Sequence, residues 1–112
     1  MTFIKRITLF KVPKQSDIEL VLKAYEALRS TAVKDGRPYV VSNVVRPVLN
    51  TGSPLSHGFT VMSQSVFGNH ADHDFYDKYC PAHKKLKETT GRVRVGDVMT
   101  IVTEGEWPEA KL

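Results

Sequence analysis

The sequence predicts an α+β domain whose elements run strand, helix, strand, strand, helix, strand. Three observations predict it. The first and last segments alternate with a period of two. A long stretch near the start repeats its apolar residues at helical spacing. A second helical stretch, rich in acids and aromatics, is split by a proline. With 112 residues, of which 41% are hydrophobic, the chain has the size and core of one domain. That domain is expected to span 1–112, with a core over about 3–104 and a C-terminal arm over 105–112.

Phe3–Val12 alternates. Phe3, Ile7 and Leu9 share one face with Lys5 and Lys11; Ile4, Thr8 and Phe10 share the other, along with Arg6. Pro13, which lacks a ladder donor, ends the strand. Ser16 and Glu19 have the spacing of a capping box. Ile18, Val21, Leu22, Tyr25, Leu28 and Ala32 then recur at helical intervals, so a helix is predicted from about Asp17 to Val33, where Lys34–Pro38 breaks it. Tyr39–Asn50 is rich in valine and reads as a strand, with Pro47 placing its far half at an edge or a bend. Thr51–Pro54 turns the chain, and His57–Phe67 reads as a third strand. Asn69 can cap a helix reaching about Tyr79. Cys80 breaks it, and Pro81 suits the first turn of another helix running to Thr90 and stopped by Gly91. Arg92–Gly105 alternates as the last strand.

This order corresponds to the ferredoxin-like βαββαβ arrangement: one antiparallel four-stranded sheet with both helices on one face. The other face needs cover. A second copy stacking there, as a homodimer forming an α/β barrel, is the simplest solution, and Trp107 in the arm is expected to pack on that partner.

Composition narrows the function classes. Sixteen basic and twelve acidic residues give +4, spread along the chain apart from Lys84, Lys85 and Lys87. That cluster reads as the wet face of a helix, so no nucleic-acid partner is expected. No apolar run approaches the roughly 18 residues of a membrane helix, and the opening residues carry no leader pattern. A cytoplasmic location is expected. Cys80 is the only cysteine, so it has no intramolecular disulfide partner. His70, His73 and Asp77 share a helical face, which reads as a solvated face and not as a metal site.

The segment ADHDFYDKYCPAH, Ala71–His83, carries the chemistry. His83 falls in the first turn after Pro81, near a helix N-terminus whose partial positive charge favours neutral imidazole. The alternative is a histidine that only packs at the kink. Together with IKRITLFKV, AYEAL and GFTVMSQSVF, this segment resembles the stress-responsive A/B barrel (Dabb) family over about residues 3–104. The resemblance implies the ferredoxin-like fold, a homodimer, and a choice of functions. One is a cofactor-free lyase or cyclase of secondary metabolism, acting on a hydrophobic or aromatic polyketide-like carbonyl compound by aldol-type cyclisation, dehydration or decarboxylation. The others are a non-catalytic stress-induced dimer and a cofactor-free monooxygenase. In the polyketide cyclases of the family the Pro-Ala-His histidine works with a tyrosine six residues earlier. His83 matches that histidine. The tyrosine position is Asp77 here, flanked by Tyr76 and Tyr79. His83 with Tyr76 or Tyr79 is therefore the expected acid–base set. The substrate pocket is expected between sheet and helices, lined by Ile7, Leu9, Tyr25, Leu28, Val61 and Met99, with His57 a candidate to point into it or to sit in an exposed turn. No cofactor and no metal are implied.

Overall fold

The computed structural model describes residues 2–111; Met1 and Leu112, the two ends of the expected domain, lie outside the described residues. The main elements are β1 (Phe3–Phe10), α1 (Gln15–Thr31), a short hairpin of β2 (Val33–Lys34) and β3 (Arg37–Pro38), β4 (Val40–Pro47), β5 (Val61–Phe67), α2 (His70–Lys78), α3 (Pro81–Val93) and β6 (Met99–Gly105). The four long strands form one sheet in the order β4-β5-β1-β6, every pair antiparallel. This is the ferredoxin-like order, with the helices on one face. None of the described helices is long and apolar enough to cross a membrane.

Register decides which residues meet the helices. Ile4 pairs with Phe67, Arg6 with Ser65, Thr8 with Ser63 and Phe10 with Val61, and these positions lie under α1, α2 and α3. Lys5, Ile7 and Leu9 pair with Val66, Gln64 and Met62 on the opposite face, where Met99 and Ile101 stand across from Leu9 and Ile7. Helix α1 buries Ile18, Val21, Tyr25 and Leu28 against the sheet. Packing is not uniformly apolar: Thr8, Ser63, Ser65, His83 and Thr90 are all buried. Asn43 donates to the hydroxyls of Ser63 and Ser65 at 3.2 and 2.9 Å. A polar seam thus runs through the layer where a purely structural core would place aliphatic side chains.

Several local expectations are corrected. Helix α1 starts at Gln15, because the Lys14 carbonyl already accepts from Asp17 and Ile18 N–H; Ser16 lies inside the helix and the capping box does not form. Asp35 and Gly36 take φ of 53 and 77°, the double positive φ of a type I′ turn, so the breaker segment folds into a hairpin. Strand β5 begins at Val61, because Pro54–Ser56 forms a 3-10 turn capped by the Ser53 hydroxyl and His57 takes the left-handed conformation at φ 51°. Helix α3 runs through Gly91 to Val93. Buried Thr90 and half-buried Val93 offset the roughly 1 kcal/mol a helical glycine costs. The last strand accordingly starts at Met99. The arm folds back over the open face of its own sheet, where Trp107 stands beside Ile7 and Thr103 and Glu109 pairs with Lys5.

Among the described residues the Tyr39 hydroxyl is buried with no full hydrogen-bond partner, the neighbouring Cys80 thiol being only a weak one. An orphaned hydroxyl costs about 1–3 kcal/mol of desolvation. Tyr39→Phe is therefore expected to leave the urea midpoint unchanged or raise it; a clear fall in midpoint would show that the hydroxyl is bonded after all.

Candidate active site

The break between α2 and α3 builds the site. A residue before proline is pushed out of the helical region, and Cys80 takes φ −68° and ψ 117°. Pro81 then starts α3, and the chain turns so that His83 in its first turn returns over the end of α2. At that end the Cys80 and Tyr79 N–H groups both go to the Phe75 carbonyl, which leaves the Tyr76 carbonyl orphaned. The His83 ring satisfies it, with Nδ1 2.7 Å from that oxygen.

This contact fixes the tautomer. A carbonyl only accepts, so Nδ1 carries the proton and Nε2 keeps its lone pair. His83 is 5% exposed, and burial pushes its pKa down to about 4, against the opposing pull of the Tyr76 carbonyl. Neighbouring Arg6 and Lys87 push it the same way as burial. The ring is neutral across the physiological range. It also stacks on Tyr76, centroids 3.8 Å apart and 16° from parallel, while Tyr76 is packed against Phe67 at 5.0 Å. The imidazole is thus clamped by a hydrogen bond and a ring face.

His83 lines a cleft of about 230 Å3 between α3 and the β1–β6 side of the sheet, whose other walls include Arg6, Thr8, Phe10, Tyr25 and Leu86. Arg6 rises from β1. Its guanidinium donates to Asp77 at 2.9 Å, lies 3.2 Å from His73 Nε2, and sits 5.5 Å from the Tyr76 ring centre. That pairing holds the Asp77 carboxyl below its usual range. His73, partly buried and beside Arg6, is also shifted down. Tyr25 is pushed up to about 12, chiefly by burial and against the pull of the Ser63 hydroxyl and Arg6; it is a neutral hydroxyl and therefore a proton donor.

The structure brings His83 and Tyr25 into this one cleft. Tyr76 lies directly behind His83, and its burial raises its pKa, but it is not among the cleft walls. Tyr79 is 72% exposed and borders a different depression, with Lys84 and Asp77. His57 is exposed in the loop before β5. Ile7, Leu9 and Met99 are corrected as pocket residues: the pleat sends them to the opposite face, where Ile7 borders a separate cavity of about 380 Å3. Val61 is fully buried in the core, and Leu28 borders two outer grooves beside α1, not the cleft. Sequence reasoning missed Arg6 as a site residue, although a cation alternating with Ile4, Thr8 and Phe10 was a visible signal. Of the His70, His73 and Asp77 face, His73 and Asp77 are both turned to Arg6, and no described group of three His, Cys, Asp or Glu converges as a metal would require.

Comparison with known proteins agrees with this architecture. A curated relative, the fusaristatin A biosynthesis cluster protein of Gibberella zeae, is 29% identical over 98 residues, covering 88% of this chain and 70% of its own. A dimeric ferredoxin-like protein of unknown function from Jannaschia sp. CCS1 superposes with a TM-score of 0.72 at 12% identity, over 90% of this chain and 97% of that one. The hydroxynitrile lyase of Passiflora edulis superposes with a TM-score of 0.72 at 15% identity, over 96% and 97% of the two chains. These likenesses show the fold, and enzymes are among the proteins that share it. Residues 4–101 match the stress responsive A/B barrel domain, and the chain belongs to that family.

Proposed function

We propose that this chain is a cofactor-independent acid–base enzyme, a lyase or cyclase acting on a small polyketide-like carbonyl compound. One observation carries the reading: the Nδ1–H of His83 is committed to the Tyr76 carbonyl, so an unprotonated Nε2 belongs to a ring that lines a cleft. Nε2 takes the proton from the carbon next to the substrate carbonyl. Negative charge then builds on the carbonyl oxygen as an enolate. Arg6 and Tyr25, both residues that line the same cleft, stabilise that charge through the guanidinium and the hydroxyl. The enolate carbon attacks a second carbonyl of the same molecule, or the enolate expels a β-leaving group. The imidazolium returns its proton to the alkoxide or to the leaving group. Imidazolium inside the cleft is disfavoured until the enolate forms beside it, so the site favours the charge pair that exists only after proton transfer.

The name of the curated relative supports a place in secondary metabolism. The half-exposed Met99 and Ile101 on the open sheet face, and the dimeric state of the Jannaschia protein, support a homodimer. The buried, unpaired thiol of Cys80 suits a cytoplasmic setting.

The test is exchange of the α-protons of aromatic β-diketones and poly-β-ketones into deuterated buffer, followed by NMR. Exchange faster than in buffer alone is expected. Its pH profile should hold a plateau down to pH 5 and fall with an acid limb near the His83 value of about 4, not near 6.5. Exchange no faster than buffer across the set would remove the acid–base reading.

A further inference from the structure

We propose that the cleft selects a small carbonyl compound that also carries a carboxylate, with its reacting carbon at His83 and its anionic end toward Lys87 and Arg94. This rests on His83 being the base. His83, Lys87, Thr90 and Arg94 are spaced four, three and four residues apart, so the first three lie along one face of α3 and Arg94 follows them at its C-cap, and all four are cleft walls. At 1.5 Å per residue, Lys87 stands about 6 Å and Arg94 about 16 Å along the axis from His83.

The charge along this face is one-sided. Among the described residues, Arg6, Lys87 and Arg94 border the cleft and no carboxylate does. Arg6 is already answered by Asp77. Among the described residues neither Lys87 nor Arg94 has an ion-pair partner. Lys87 is open beside the buried ring, and Arg94, which donates one guanidinium N–H to the Gly96 carbonyl, keeps a charge that no described carboxylate answers; two such cations recognise an anion, and Thr100 stands on the same walls. Phe10, Leu86 and Val98 supply the apolar part, which suits a ring or short alkyl group. A volume of about 230 Å3 lies below the roughly 300–1,000 Å3 of drug-sized pockets, so the ligand is compact and not a long extended chain. Such a ligand would also sharpen the chemistry. Lys87 is one of the charges that depress His83, and a carboxylate neutralising it restores basicity to the ring when the substrate is bound.

Calorimetric titration of 2-hydroxybenzoate against its amide, 2-hydroxybenzamide, tests this. The acid is expected to bind about 10-fold or more tighter, as a charge-assisted contact implies. Lys87→Gln with Arg94→Gln should erase that preference. Lys84→Gln with Lys85→Gln, which changes the net charge equally outside the cleft, should keep it. Equal binding of acid and amide, no binding of either, or the same loss in the Lys84/Lys85 variant would each overturn the proposal. The His83→Asn protein separates this from the catalytic reading: it should lose α-proton exchange and still prefer the acid. A wild type that prefers the acid but catalyses no exchange would sink the catalytic reading alone.

Discussion

His83→Asn is expected to slow α-proton exchange by about 100- to 10,000-fold, the usual contribution of a positioned general base, while the protein stays folded at neutral pH. Asparagine is chosen because its amide N–H can replace Nδ1–H in the bond to the Tyr76 carbonyl, so the end of α2 keeps its partner. What disappears is the Nε2 lone pair. The same variant carries a stability signature with a defined sign. The folded pKa of His83, about 4, lies below the ordinary value of 6.5, so between those values the unfolded chain binds a proton that the folded one does not. The wild type therefore loses stability as pH falls through this window, by about 3 kcal/mol at its acid end. Above pH 6.5 both states are neutral and the contribution vanishes. Urea midpoints at pH 7 and 4.5 should converge between wild type and His83→Asn, because only the wild type carries this loss. His73, also shifted down, leaves a shallower slope in both proteins. Asp77 acts in the same direction but at lower pH, because its depressed carboxyl adds stability that goes only as pH falls through its own folded value. Parallel midpoint lines for the two proteins would show that His83 is not neutralised by burial.

The features that a local reading recovered are those fixed by local chemistry. Period-two alternation gave β1 and the inner face of β5, Asn69 caps α2 by accepting from Asp72 N–H, and Pro81 places the break. The failures have physical causes. Gly91 has the local chemistry of a stop, but tertiary burial of Thr90 holds the helix through it. Asp35-Gly36 has the composition of a helix breaker, and its φ values make it a hairpin turn. The expected pocket takes residues of the right kind from the wrong side of the sheet. Alternation had already put Ile7 and Leu9 opposite Ile4, Thr8 and Phe10. Which set the helices cover is decided by pairing with β5, which no single strand contains. The partner of His83 was equally hidden. Tyr76 and Tyr79 are its neighbours in sequence, yet the tyrosine sharing its cleft is Tyr25, from the other helix.

That last point gives Tyr76 and Tyr25 separable roles. Tyr76 is 2% exposed, and its ring fills the space between His83 and Phe67. Tyr76→Ala removes a buried aromatic and is expected to cost about 3–5 kcal/mol, a large share of the 5–15 kcal/mol typical of a domain this size. It should also free the His83 ring, so activity should fall even in protein that remains folded. Tyr76→Phe keeps the ring and the stack, and is expected to hold both stability and exchange near wild type, because Tyr76 acts through its ring face. Tyr25→Phe removes the hydroxyl of a residue that lines the cleft, and a lost donor at a developing oxyanion lowers turnover by about 100-fold or more. Its stability should change little, as burial of the ring is unaltered. Thermal unfolding and exchange rates measured on the three variants separate the roles. If Tyr76→Phe were the inactive one, proton donation would come from behind the imidazole, and the substrate would have to enter between Tyr76 and Arg6 instead of along α3.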